Sequence, residues 1–129
     1  MALLAWAYLL LAHGRFWQAG PALAPLHAPS YPPVDVVIPA RDEAEGIAAA
    51  LRSLLAQDYA GPLRVIVVDD GSTDGTGAIA RGLAPGFAAA ARDLLTLDGR
   101  PPPVSWSGKM WAVAQGVAET RATLILLTD

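Results

Sequence analysis

Residues 63–76, LRVIVVDDGSTDGT, constrain the fold of this chain more than any other stretch. Arg64 to Val68 is rich in β-branched side chains and has no polar alternation, the pattern of a strand covered on both faces. The run stops on Asp69 and Asp70. Two adjacent carboxylates have no place inside a sheet, so they must be solvated, hydrogen-bonded or engaged with a ligand. Gly71, Ser72, Asp74 and Gly75 then supply turn and capping chemistry for a following helix. Open α/β sheets bind their ligands outside the carboxyl ends of the strands, which is where these aspartates fall.

The same alternation runs through the rest of the chain. Val34 to Pro39 reads as a first strand, followed by a helix over Asp42 to Ala56 with Ile47, Leu51, Leu54 and Leu55 at helical spacing and Asp42, Glu43 and Glu45 against its amino-terminal dipole. A second helix is expected from about Asp74 to Leu83, with Ile79 and Leu83 inward. Leu94 to Leu97 suggests a short strand, Trp106 to Thr120 a helix through Trp111, Ala114, Val117 and Ala118, and Thr123 to Asp129 a last buried strand. Gly82 to Ala91 is alanine-rich and gives no clear pattern. Strands alternating with helices predict an α/β, Rossmann-like, mostly parallel sheet with flanking helices, because parallel neighbours need crossover connections. A chain that stops on an apolar strand is expected to hold an incomplete domain.

Ahead of the first strand, Pro21, Pro25, Pro29, Pro32 and Pro33 disfavour helix and make residues 20–33 an extended linker. Met1 to Ala12 is apolar throughout, yet shorter than the roughly 20 residues a membrane-spanning helix needs. A signal peptide and an ordinary buried helix both compete for it, but no basic region precedes it. We read residues 1–19 as an apolar, membrane-anchor-like helix continuing through Phe16 and Trp17. Arg15 is the only charge before Asp35, which puts the soluble part on the cytoplasmic side of the inner membrane, single-pass or peripheral. A net charge of -3, one lysine and eight scattered arginines leave no basic patch for nucleic acid. The absence of cysteine excludes disulfides and thiolate metal sites.

Three strand ends are expected to share one rim: Pro39 to Glu43 (PARDE), Asp69 and Asp70, and Asp129. To these WSGKMWAVAQG adds the chain's only lysine, Lys109, at the start of a helix, where it opposes the helix dipole. An anion held by Lys109 and the backbone N–H groups near Gly108 would remove that conflict. Three lookalikes fail. Gly75-Thr-Gly77 resembles a dinucleotide turn, but two carboxylates stand where the pyrophosphate would approach. A calcium loop from Asp70 puts Arg81 where a glutamate is required. A phosphate-binding loop through Gly108-Lys109 lacks its upstream glycine.

VVIPARDEAEGI, VIVVDDGSTDGT, SGKMWAVAQG and LILLTD together resemble the amino-terminal half of a family 2 glycosyltransferase of the GT-A fold, over Val34 to Asp129. WSGKMWAVAQG, with the proline-rich approach and the apolar amino terminus, is similar to the hopanoid-associated branch. The resemblance implies inverting transfer of a sugar from a nucleotide-diphosphate donor, with a divalent metal such as Mg²⁺ or Mn²⁺ and a lipid acceptor. It further implies that Pro39, Ala40, Arg41 and Glu43 border the nucleoside, Asp70 binds the base, Lys109 faces the base or diphosphate, and Asp129 meets the ribose and metal. Asp42 stands where asparagine is more usual. The catalytic base and the second metal carboxylate are expected beyond Asp129, which leaves residues 1–129 inactive alone. A nucleotide-dependent oxidoreductase or nucleotidyltransferase, and a non-catalytic nucleotide-binding remnant, are the competing readings.

Overall fold

A computed structural model describes residues 2–11, 30–87 and 91–128. Helix α1 spans Ala2–Leu11, with Leu3, Leu4, Trp6, Tyr8, Leu10 and Leu11 all exposed. No helix among the described residues is long and apolar enough to cross a membrane. Of the anchor expected over residues 1–19, Met1 and residues 12–19 fall outside the described residues, as do residues 20–29 of the linker. The last part of the linker is tied down: Tyr31 meets Tyr59 edge-on at 5.7 Å, and the Tyr59 hydroxyl donates to the Pro32 carbonyl.

The sheet contains β1 (Val34–Ala40), β2 (Leu63–Asp69), β3 (Arg92–Asp98) and β4 (Leu124–Leu127), in the order β3-β2-β1-β4. Every pairing is parallel. The expected fold class, a Rossmann-like parallel sheet flanked by helices, is therefore the one observed. Alternate side chains of the central strands face opposite ways, as the two-residue strand period requires. Val36, Ile38, Val65, Val67 and Leu94 meet Ile47, Leu51 and Leu55 of α2 (Ile47–Leu55) and Ala80 of α3 (Thr76–Leu83). On the other face Val37, Ile66 and Val68 meet Ala112 of α4 (Gly108–Ala118). The strand order reverses between β1 and β4, and such a reversal opens a crevice at the carboxyl ends.

Several boundaries differ from those expected. Helix α2 begins at Ile47 rather than near Asp42, because Asp42 has φ +52° and cannot continue a right-handed helix. Asp42, Glu43 and Glu45 thus belong to the approach loop, not to a first helical turn. Strand β3 is seven residues long because the polar Arg92, Asp93 and Asp98 continue the ladder with β2. Helix α4 turns small residues inward, Ala112 and Gly116, while Val117 is exposed. A Cβ on Gly116 would stand 2.4 Å from Val37 Cγ1, so glycine is what lets this helix lie so close to the sheet. Strand β4, expected to be buried, exposes Leu124, Ile125, Leu126 and Leu127, since β1 is its one neighbour in the described sheet.

Two polar residues that periodicity did not reveal hold the far end of the sheet. Asp35 is buried, and its Oδ2 accepts from the backbone N–H of Arg121 at 2.6 Å and of Ala122 at 3.1 Å, fixing the entry to β4. The Arg92 guanidinium donates to the carbonyls of Leu55, Gln57, Tyr59 and Gly61, which closes the turn between α2 and β2.

Candidate functional site

The carboxyl ends of β1 and β2 and the start of α4 enclose an open pocket of about 280 Å³ lined by Pro39, Ala40, Arg41, Glu43, Asp70, Gly108 and Lys109. Six of the seven residues expected to bind nucleotide sugar are in that lining; the seventh, Asp129, lies outside the described residues. A hollow of about 360 Å³ sits at the opposite, amino-terminal edge around Asp35, Arg64 and Asp93, away from the edge where such sheets take ligands.

The two adjacent aspartates part company. Asp69 Oδ1 accepts from the Ser72 N–H at 3.0 Å, closing the turn, and a Cβ on Gly77 would stand 2.2 Å from Asp69 Oδ2. The space a dinucleotide turn would leave for a pyrophosphate is thus occupied by a carboxylate. Asp70 instead lines the pocket: its N–H donates to the Ala40 carbonyl at 2.9 Å, and its Oδ2 lies 3.8 Å from Arg41 Nη1. The Asp70 side chain is only 14% exposed, against 66% for Arg41, so the carboxylate is the fixed partner and the guanidinium the movable one. A Cβ on Gly108 would come within 2.6 Å of Asp70 Oδ2. Ser107 caps α4, its Oγ accepting from the Met110 N–H at 3.4 Å. The helix end expected to hold an anion therefore already faces one, the Asp70 carboxylate, and a carboxylate there is favoured by the helix dipole.

The loop between β1 and α2 is held by the glycine-rich turn after β2. Asp42 N–H donates to Ser72 Oγ at 3.0 Å, Glu43 N–H to Thr76 Oγ1 at 2.8 Å and Ala44 N–H to Asp74 Oδ2 at 2.8 Å. In return Asp42 Oδ1 accepts from the Thr73 N–H at 2.8 Å. The Thr76 hydroxyl beside it, then the Ala44 N–H, hold the Asp74 carboxyl below its ordinary pKa, with burial a smaller opposing influence. Because the folded value is the lower one, the stability this carboxylate contributes is present above its unfolded pKa. It is lost as the pH falls through the folded one. Ser72 and Asp74, candidates for a calcium loop by spacing, are engaged with the neighbouring loop.

Among the described residues no group of three His, Cys, Asp or Glu side chains could hold a metal ion. Asp129, the residue that the resemblance gives to the metal, lies outside the described residues.

A family profile described as Glycosyl transferase family 2 matches residues 35–129. An N-acetylglucosaminyltransferase from Rhizobium meliloti (strain 1021) is 52% identical over 56 residues, covering 41% of this chain and 13% of that protein. A 4,4'-diaponeurosporenoate glycosyltransferase from Staphylococcus aureus (strain MRSA252) is 36% identical over 95 residues, 73% of this chain and 22% of the relative. Among solved structures, a mannosyltransferase from Pyrobaculum calidifontis in complex with GDP-mannose and Mn²⁺ superposes with a TM-score of 0.60 at 26% identity, covering 96% of this chain and 33% of the other. The chain thus spans a third or less of each of these proteins.

Proposed function

This chain belongs to glycosyl transferase family 2, and on that premise we propose that it carries the nucleotide half of a site that transfers a sugar from a nucleotide-diphosphate donor to an acceptor. The observation that carries the reading is the meeting of Arg41, Glu43, Asp70, Gly108 and Lys109 around one pocket at the carboxyl edge of the sheet. Asp70 Oδ accepts a ring N–H of the base, as a carboxylate can from uracil or guanine. Pro39 and Ala40 border the nucleoside. Arg41 can swing from Asp70 toward the ligand, and the Lys109 ammonium faces the base or the diphosphate. A divalent ion, Mg²⁺ or Mn²⁺, bound through Asp129 would neutralise charge on the leaving diphosphate.

The finer parts of the proposal are inversion at the sugar and a lipid acceptor of hopanoid type. The relative named for 4,4'-diaponeurosporenoate supports a lipid acceptor in general rather than the hopanoid type, and the soluble unit would face the cytoplasm beside the inner membrane. The Pyrobaculum calidifontis structure, with its GDP-mannose and Mn²⁺, supports a nucleotide sugar and a metal. Residues 1–129 alone are expected to bind UDP or GDP without transferring sugar, since the chain spans a third or less of each relative's length. Calorimetry with both nucleotides and a transfer assay with labelled nucleotide sugars and a lipid extract check this. Transfer by residues 1–129 would overturn the division of labour; failure to bind either nucleotide would overturn the site.

A further inference from the structure

We propose that Thr76 is a positioning residue for this pocket: its hydroxyl fixes the Arg41–Glu43 loop from the start of α3, and Asp74 orients that hydroxyl. The inference rests on the nucleotide reading and deepens it.

Thr76 is fully buried although it is the first residue of its helix. The residue at the N-cap, Gly75, has no side chain with which to satisfy the first N–H groups of the helix. Here that duty is taken by Asp74, whose Oδ1 accepts from the Thr76 N–H at 3.0 Å. The Thr76 hydroxyl donates to the same Asp74 Oδ1 at 2.6 Å, which turns its oxygen toward the other loop to accept from Glu43 N–H at 2.8 Å. Asp74 Oδ2 takes the next N–H, that of Ala44, and Ser72 Oγ the preceding one, that of Asp42. Three successive backbone donors of the pocket loop are thus held by three side chains of one turn, some thirty residues away in sequence.

The loop needs such support. It has no ladder of its own past Ala40, and Asp42 sits at φ +52°, a conformation non-glycine residues adopt only when the surroundings impose it. Arg41 lies between the Ala40 carbonyl, bonded to Asp70 N–H, and Asp42, bonded to Ser72. The two ligand-facing side chains Arg41 and Asp70 therefore sit on strand ends that are cross-linked before any ligand arrives. Ordering the loop in advance removes a cost that binding would otherwise meet.

The test measures UDP and GDP affinity by calorimetry, with thermal melting in parallel, for this chain and for Thr76→Val, Thr76→Ser, Asp74→Asn and Asp35→Ala. Valine keeps the shape and removes the hydroxyl, and affinity is expected to fall about tenfold, as for a hydrogen bond lost with its buried partner left unpaired. Serine restores it. Asp74→Asn, at an exposed carboxylate, also lowers affinity and serves if the valine variant does not fold. Asp35→Ala weakens the opposite end of the sheet and is expected to lower the melting temperature with affinity unchanged. If the parent chain binds and a folded Thr76→Val or Asp74→Asn binds equally well, the positioning role is wrong while the nucleotide reading stands. Loss of affinity in Asp35→Ala matching its loss of stability would reduce Thr76 to a structural residue and overturn the proposal. A parent chain that binds neither nucleotide overturns both.

Discussion

Replacing Asp70 with asparagine is expected to weaken UDP or GDP binding by about 10- to 100-fold, the worth of a hydrogen bond to a charged group, while leaving the melting temperature within a few degrees of the parent. The carboxylate offers acceptors only, so either oxygen can meet a ring N–H of the base. Asparagine puts an NH₂ in one of those places and removes the charge. The close approach of Gly108 limits how the side chain can turn to compensate, since a Cβ there would already stand 2.6 Å from Oδ2. Stability should survive because closing the turn falls to Asp69, and clamping the neighbouring loop falls to Asp74. Calorimetry and melting on the same sample check both halves. A variant that binds as tightly as the parent would remove Asp70 from the site.

The second large effect is expected at Gly116, on the inner face of α4. Its missing side chain leaves room for two fully buried valines: a Cβ would lie 2.4 Å from Val37 Cγ1 and 3.1 Å from Val68 Cγ2. Both valines are β-branched residues of central strands and have little rotamer freedom with which to retreat. An alanine would regain about 1 kcal/mol of helix propensity against the clash. Gly116→Val gives most of that back and adds two methyl groups. Overpacking of this kind costs about 3 kcal/mol, a fall in melting temperature on the order of 10 °C for a domain this size. The strain also reaches the pocket, because lifting α4 from the sheet carries Gly108 and Lys109 away from Asp70. Thermal melting of Gly116→Val tests this, and a melting temperature within about 2 °C of the parent would contradict the close packing.

What the sequence made legible follows from how local each signal is. Strands β1 and β2 were readable because they lie at the centre of the sheet and are apolar on both faces, as VVI and VIVV announce. The pocket was readable because a parallel sheet brings its strand ends to one edge, so PARDE, Asp70 and Lys109 could be joined without knowing any distance. The errors arose where a residue's partner is far away in sequence. Asp42, Glu43 and Glu45 look like dipole partners of a helix, but the loop they form is shaped by Ser72, Thr76 and Asp74. Nothing local in VDVVIP explains a buried Asp35; its partners are the N–H groups of Arg121 and Ala122, 86 and 87 positions on. In α4 the large apolar residues, which usually mark a core face, do not do so: this helix packs through Ala112 and Gly116. Asp69 and Asp70 looked alike as a pair; successive side chains on a strand point to opposite faces, and that alone separates a turn-closing carboxylate from a ligand-facing one.

The most direct test of the central claim is to titrate UDP and GDP into isotopically labelled chain and follow each backbone amide by NMR. The account requires saturable shifts concentrated at Ala40, Arg41, Asp70, Gly108 and Lys109, around the carboxyl ends of β1 and β2. Shifts confined to Asp35, Arg64 and Asp93 at the other edge of the sheet, or none with either nucleotide, would contradict it.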